Sequence, residues 1–192
     1  MRLGALPSQA CWRLEGSRDG FEVCWPVSIG AIHRLRGAST GVQDGDGWTI
    51  SYDVEVGPDW RTRVAQVQVA GRDGSGELLL ERDTDHRWSL DGVHRGDLDG
   101  VLDVHLDASA VSHTLPVRRL DLAPGARMQV DVAHVRRDLR VQRVTWTYEL
   151  VTQTDDVVVV SCAAPDLGVD GTLTLDAAGL VTDHPDRATR VG

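Results

Sequence analysis

The chain of 192 residues contains no lysine and no asparagine, and it has only one phenylalanine, two tyrosines and three isoleucines. These residue types have AT-rich codons, so a GC-rich coding sequence explains their scarcity. All 20 basic residues are therefore arginine, and with 29 acidic residues they give a formal net charge of −9. Because phosphate affinity comes mostly from neutralising basic contacts, this charge argues against a general nucleic-acid-binding protein.

Cysteine is also scarce, and long apolar runs are missing. The three cysteines, Cys11, Cys24 and Cys162, form no C-x-x-C pair, so we expect no disulfide framework, zinc knuckle or dithiol redox site. No segment approaches the ~20 apolar residues that a membrane-spanning helix needs. The first residues, MRLGALP, lack the apolar stretch of a secretory signal, and on this basis we expect a cytoplasmic protein.

Internal repeats, low-complexity tracts and linkers are likewise missing from the sequence. A chain of this length can bury one core, so we expect a single domain over residues 1–192. Only the ends, at about 1–8 and 187–192, are predicted to be loose.

The residues that are abundant favour β-structure. Valine (26) and threonine (13) suit a pleated sheet, and aspartate outnumbers glutamate 23 to 6, which favours turns over helices. Large apolar residues alternate with polar ones in four segments. This alternation predicts half-buried strands at 48–56, 102–107, 128–132 and 144–150.

Turn-forming residues separate these segments at short intervals, which predicts a mostly antiparallel meander without a long helix. The best helix candidate, 29–36, contains a glycine and is ambiguous. A hairpin in the glycine-flanked loop near the N-terminus would pair Leu14 with Phe21. It would also place Cys11 opposite Cys24.

The motifs of several enzyme classes do not occur. There is no G-x-S-x-G nucleophile elbow and no H-E-x-x-H metal motif. The glycine-rich run Gly74-Ser75-Gly76 lacks the residues that complete a phosphate-binding loop, and it is typical of a hairpin turn. Sequence motifs therefore assign no catalytic class.

One polar cluster carries candidate chemistry: Asp103, His105 and Asp107 alternate along a predicted strand, with His113 nearby. On a strand these side chains would share a face about 7 Å apart, which is loose for chelating one metal ion. We therefore expect no metal here. The cluster is then either a polar strand face paired with arginines of a later segment, or a patch that binds the hydroxyl groups of a sugar or headgroup.

Six tryptophans in a chain with one phenylalanine are expected to fill most of the core, with room for one or two to line a cavity. Strands with one apolar side must bring those sides together, either as a flat sandwich or as a curled sheet. Only the curled sheet leaves space for a ligand.

Seven short motifs occur in a fixed order along the chain: WRLE at 12–15, DWRTR at 59–63, WSLDG at 88–92, LDG at 98–100, LDV at 102–104, TLPVRRL at 114–120 and GLVTDHP at 179–185. Together they resemble the Putative glycolipid-binding family, formerly described as a domain of unknown function. The resemblance extends over nearly the whole chain.

This resemblance implies a mostly β fold, an antiparallel spiral β-roll similar in shape to lipid and lipoprotein carriers, whose concave interior holds a glycolipid-like ligand. Three positions depart from the family pattern by being histidine. His105 replaces the second aspartate of Asp-Val-Asp-Leu, His113 replaces the asparagine before Thr-Leu-Pro, and His184 replaces the tyrosine before proline. The polar role of these positions is expected to be pH-sensitive or lost.

The leading hypothesis is a soluble, non-enzymatic binding protein for an amphiphile, with no cofactor, no nucleic-acid partner and no inserted membrane segment. Valine, leucine and tryptophan side chains would hold its acyl part. The candidate ligand-binding residues are Trp60, Trp88, Asp103, His105, His113, Arg118, Arg119, Trp146, Tyr148 and His184.

Two other hypotheses stay open. The first is a hydrolase or isomerase that uses Asp103 or Asp107 as a base, with His105 or His113 as its partner. The second is an interaction domain that forms an oligomer by pairing an exposed strand edge with a copy of itself.

Overall fold

Valine- and threonine-rich alternation builds most of the chain into strands. The structure, a computed structural model, describes residues 3–16 and 19–191. The strands are β1 (Ala10–Leu14), β2 (Asp19–Ile29), β3 (Ile32–Gln43), β4 (Asp46–Val56), β5 (Thr62–Gly71), β6 (Gly74–Arg82), β7 (Trp88–Leu90), β8 (Val93–His94), β9 (Asp103–Leu106), β10 (Arg127–Val135), β11 (Val141–Gln153), β12 (Val157–Ala164), β13 (Val169–Asp176), β14 (Val181–His184) and β15 (Ala188–Arg190). Among the described residues the one α-helix is α1 (Thr114–Arg119), and short 3-10 turns lie at Gly96–Leu98, Val111–His113 and Pro165–Leu167.

All these strands belong to one sheet in the order β8-β7-β6-β5-β4-β3-β2-β1-β15-β14-β13-β12-β11-β10-β9. Neighbouring strands run antiparallel, apart from β9 and β10, which are parallel. The first and last strands, β1 and β15, lie side by side in the middle of the sheet. The predicted antiparallel meander is confirmed.

The sheet curls back on itself without closing. Among the described strands, the two end strands β8 and β9 are not paired with each other. Instead, the backbone N–H of Thr62 in β5 donates to the Leu102 carbonyl at 2.9 Å, and the N–H of Val104 in β9 donates to Thr62 Oγ1 at 3.1 Å. The result is the mostly β, spiral β-roll that the family resemblance implied.

Tryptophans fill much of the interior, as expected. Trp12, Trp88 and Trp146 are each at most 2% exposed. A buried indole N–H usually has a hydrogen-bond acceptor, and Trp12 and Trp88 donate to the carbonyls of Val181 and Val101 at 2.7 and 2.9 Å. These indoles therefore act as core side chains.

Two local expectations near the N-terminus are wrong. Segment 29–36 is not helical, because β2 and β3 form a hairpin that turns at Gly30, whose φ is +60°. In the first hairpin, Leu14 pairs with Gly20, and Cys11 pairs with Val23 rather than with Cys24. This register keeps the inward-facing residues of β1 and β2 on the same face. Positions 17 and 18 of this loop lie outside the described residues.

Within the C-terminal segment predicted to be loose, Ala188–Arg190 instead forms β15, which pairs with β1 and β14. Near the other end, the N–H of Gly4 donates to the Ala177 carbonyl at 2.7 Å, and Leu6 packs against the core. Positions 1, 2 and 192 of the predicted loose ends lie outside the described residues.

Candidate functional site

Four histidines from separate segments meet inside the roll. His105 lies on β9, His134 on β10, His113 in the turn before α1, and His184 at the end of β14. Their exposed fractions are only 5%, 2%, 3% and 6%, in that order. A buried imidazole is unusual enough to require a structural or functional explanation.

Strand register brings these rings together. The parallel pairing of β9 and β10 places His105 directly beside His134, and their Nδ1 atoms lie 3.2 Å apart. The ring of His113 lies 5.0 Å from that of His105 and 5.2 Å from that of His184, measured between centroids. The four imidazoles therefore form one continuous group, here called the histidine cluster.

Aromatic residues of β11 pack against the histidine cluster. The indole of Trp146 stacks on His105 at 4.8 Å and makes an edge contact with His113 at 4.9 Å. The hydroxyl of Tyr148 hydrogen-bonds to His113 Nδ1 at 3.0 Å. Each of these contacts fixes the orientation of an imidazole ring.

A cavity of about 560 Å³ adjoins the histidine cluster. Its volume lies within the range of ~300–1,000 Å³ that is typical of small-molecule sites. The four histidines and Trp146 line part of it, and the remaining wall includes polar and charged side chains: Asp107, Ser109, Asp170, Thr172, Asp186 and Arg187. This lining suits a polar group better than a hydrocarbon chain.

The pKa values of three cavity histidines, His105, His113 and His184, lie below the usual value for histidine. Burial lowers the pKa of His105 and of His113 well below the usual value, and neighbouring histidines and Arg187 lower both further. Burial and the charge of Arg187 lower the pKa of His184 to about 4. A neutral imidazole carries one hydrogen-bond donor and one acceptor, which matches the two roles of a hydroxyl group.

A buried carboxylate, Glu22 on β2, holds one wall of the cavity. It accepts hydrogen bonds from the Tyr52 hydroxyl at 2.7 Å, from the Ala110 N–H at 2.6 Å and from the Ser109 hydroxyl. Ser109 and Ala110 both line the cavity. Burial raises the pKa of Glu22 to about 7, although these hydrogen bonds favour its ionised form.

Asp103 and Arg119, both expected at the site, lie outside the cavity in a buried ion pair. Arg119 Nη2 lies 2.5 Å from Asp103 Oδ2, with side-chain exposures of 14% and 0%. Burial raises the pKa of Asp103, and Arg119 opposes this shift. The predicted pairing of Asp103 with an arginine is confirmed for Arg119. The predicted solvent-exposed polar face of β9 is wrong, because all four residues of this strand are buried.

Trp60 and Arg118 also lie elsewhere. The guanidinium of Arg118 lies 4.2 Å from the centre of the Trp60 ring, and the His33 ring stacks on Trp60 at 4.5 Å between centroids. Arg118 donates to the carbonyl of Gly4 at 3.0 Å and to that of Ala178. These contacts fasten α1 to two loops, and Trp88 belongs to the core.

Of the ten predicted site residues, the structure brings together His105, His113, Trp146, Tyr148 and His184. Sequence reasoning missed His134 and Glu22. The inward position of His134 could have been predicted from the sequence, because His134 continues the alternation of Val130 and Val132 along β10. The inward position of Glu22 depends on the hairpin register, and the predicted register differs from the observed one by one residue.

Within residues 3–16 and 19–191, no group of three or more histidine, cysteine, aspartate or glutamate side chains is arranged to hold a metal ion. No α-helix in the described part of the chain has the length and apolar character required to cross a membrane.

A curled, unclosed β-sheet with a polar, histidine-lined cavity defines the fold class as a β-roll. The chain belongs to the family described as Putative glycolipid-binding, which matches residues 9–190. This match confirms the resemblance carried by the sequence motifs. Among curated proteins, none matches the chain.

Two solved structures share the fold. One is a DUF1089 family protein from Pseudomonas aeruginosa, with a TM-score of 0.74, 22% identity and coverage of 88% of this chain and 92% of that chain. The other is a β-barrel-like protein of the domain of unknown function DUF1849 from Brucella abortus, with a TM-score of 0.58, 12% identity and coverage of 98% and 97%. At these identities the likeness concerns the fold.

Proposed function

We propose that this protein binds, without converting it, an amphiphile whose polar headgroup carries hydroxyl groups, and that the headgroup occupies the cavity beside the histidine cluster. The description of the family supports a glycolipid-like ligand. The observation that carries the proposal is the set of four buried imidazoles on one cavity of about 560 Å³.

Unused hydrogen-bonding capacity supports a polar occupant. His105 Nε2 and Trp146 Nε1 are buried and have no hydrogen-bond partner among the described residues. Leaving a buried donor or acceptor unpaired costs about 1–3 kcal/mol. A ligand with hydroxyl groups that reached these atoms after small ring movements would recover part of that cost.

The headgroup, rather than the acyl chain, is assigned to the interior. Large side chains already fill the rest of the roll, including Trp12, Trp88, Leu35 and Leu80, each at most 1% exposed. The cavity wall carries carboxylates, hydroxyls and Arg187, which would lose hydration against a hydrocarbon. The hydrocarbon part therefore stays outside the histidine cavity.

Titration calorimetry with a panel of octyl hexosides below their micelle concentrations tests this function. We expect at least one octyl hexoside of the panel to bind. The methyl glycoside of the same sugar should also bind, and octanol should not. Octanol that binds as tightly as the octyl hexosides, or a panel without any binding member, would contradict the proposal.

A cavity-filling variant locates the binding. Gly171 lines the cavity, and a Cβ placed there meets no atom within 4 Å, so Gly171→Leu occupies the space without a clash at that atom. We expect it to weaken hexoside binding at least tenfold. Val151→Leu, at a valine that is 57% exposed, adds volume outside the cavity and should leave binding unchanged.

Catalysis by an Asp/His pair is the second candidate, because Asp107, His105 and His113 line the same cavity. Asp107 also lies 3.8 Å from the Arg137 guanidinium, so the carboxylate already has an ion-pair partner. Mass spectrometry of hexosides recovered after long incubation separates the two functions. Unchanged hexoside supports binding alone, and a cleaved or isomerised sugar supports catalysis.

A further inference from the structure

The outer face of β2 carries a continuous line of apolar side chains, here called the β2 stripe. It consists of Phe21, Val23, Trp25, Val27 and Ile29, which alternate with residues that point inward or lie at the hairpin end. Phe21, Trp25, Val27 and Ile29 are 54%, 48%, 43% and 70% exposed. Apolar patches of this extent on a protein surface usually mark interaction sites.

Arginines flank the β2 stripe in register. Arg13 of β1 pairs with Phe21, while Arg36 and Arg34 of β3 pair with Trp25 and Val27. Three successive exposed apolar residues thus each have a guanidinium on an adjacent strand.

Four arginines lie around the stripe, Arg63 included, against three carboxylates: Asp19 at the start of β2, Asp53 and Glu55. Asp53 forms ion pairs with both Arg34 and Arg36, at 2.7 and 3.2 Å. Glu55, the next carboxylate on that face, is paired with Arg63 at 3.8 Å. This local excess of arginine stands out in a chain whose net charge is −9.

We infer that the β2 stripe docks on the surface of a lipid bilayer that contains anionic headgroups. Tryptophan and phenylalanine favour the boundary between hydrocarbon and water, where a ring has one apolar and one wet side. Guanidinium groups beside them form charge-assisted hydrogen bonds with lipid phosphates.

The same charges disfavour a second copy of the chain as the occupant. Two-fold pairing of the stripe with itself would bring two arginine-rich faces together, and like charges across an interface are unfavourable. An anionic lipid surface complements those charges instead.

Docking through the β2 stripe would also bring the histidine cavity close to the bilayer. The stripe begins at Phe21, and the adjacent pair in the hairpin is Leu14 with Gly20. Leu14 lines the histidine cavity. A headgroup could then enter the cavity while its tail remained among the lipids, a step that rests on the proposed function, whereas docking itself does not.

Co-sedimentation with sonicated vesicles tests the inference. We expect the protein to bind vesicles of phosphatidylcholine with 30 mol% phosphatidylserine, to bind pure phosphatidylcholine at least fivefold more weakly, and to be released by high salt. The double variant Trp25→Ser with Val27→Thr should lower the partition coefficient at least tenfold. Arg34→Gln with Arg36→Gln should remove most of the preference for phosphatidylserine.

The matched control is Val93→Thr with Val157→Thr, which removes exposed apolar groups at two sites away from β2 and should leave partitioning unchanged. Circular dichroism verifies that each variant is folded. Equal partitioning of the stripe variant and the control would overturn the inference. So would a dimer, detected by sedimentation, that the stripe variant abolishes while vesicles bind neither protein. These vesicles contain no lipid whose headgroup carries hydroxyl groups, and the hexoside titration contains no bilayer, so the two proposals fail separately.

Discussion

Burial shifts the pKa values of the histidines inside this protein, because a charged imidazole loses its hydration there. The histidine cluster has cationic Arg187 beside it, and the neighbouring imidazoles themselves disfavour a second positive charge. Around it, Asp107, Asp170 and Asp186 line the cavity. The cluster is therefore suited to hydrogen bonding in its neutral form, and protonation would disturb it.

Acid is expected to destabilise the fold through these histidines. An unfolded histidine binds a proton near pH 6.5, but the pKa of folded His184 is about 4, and burial also lowers the pKa values of His105 and His113 well below 6.5. Their lowered pKa values contribute stability that is complete above pH 6.5 and is lost as the pH falls toward 4. For each histidine this loss approaches about 1.4 kcal/mol per pH unit.

Glu22 acts in the opposite direction. Its pKa is about 7 in the fold against 4.5 unfolded, so its contribution is complete below pH 4.5 and is lost as the pH rises through 7. It therefore offsets part of the acid loss caused by the histidines. We expect Glu22→Gln to show a larger fall in the free energy of unfolding between pH 7 and pH 5 than the parent protein, as measured by urea denaturation. A fall equal to that of the parent would contradict this assignment.

Among the elements, β9 shows how far alternation can mislead. Asp103 and His105 alternate with Val104 and Leu106, which is typical of a strand with one wet face, yet all four residues are buried. The strand lies at the curled end of the sheet, where β5 contacts it and Arg119 of α1 pairs with Asp103. A polar residue on a strand therefore predicts a hydrogen-bond partner but not solvent exposure, because the partner is either water or another element of the fold.

The Asp103–Arg119 ion pair should hold α1 on β9. We expect Asp103→Ala to lower the free energy of unfolding by about 3–5 kcal/mol, because it leaves a largely buried guanidinium without its partner. Replacing both residues, as Asp103→Leu with Arg119→Met, should recover most of that loss. Chemical denaturation measures both effects, and a loss below about 1 kcal/mol for Asp103→Ala would show that the pair is not a stabilising contact.

The strands themselves were predictable where local pattern decides them. Segments 48–56 and 144–150 fall inside β4 and β11, because their apolar side chains alternate without interruption. The first hairpin was predicted one residue out of register, since a turn with two flanking glycines permits several loop lengths. Register is settled by which residues must share the inner face, such as Trp12 and Glu22.

For the whole molecule, the curl of the sheet decides whether a cavity exists. It is fixed by contacts between distant segments, such as the hydrogen bond from the Thr62 N–H to the Leu102 carbonyl. The alternation of apolar and polar residues is compatible with both a roll and a sandwich. The family motifs are what favoured the roll. Three of the four clustered histidines were candidates from sequence, but their convergence depends on the long-range order of β9, β10 and β14.

The central claim is that a hydroxyl-bearing headgroup occupies the cavity beside the histidine cluster. Nuclear magnetic resonance of the histidine Cε1–H groups, assigned with single His→Gln variants, tests it most directly. On addition of the octyl hexoside that binds most tightly, we expect the resonances of His105, His113, His134 and His184 to shift. Those of His33, His86 and His94, which do not line the cavity, should stay in place. Shifts confined to the latter three, or binding without any histidine shift, would contradict the account.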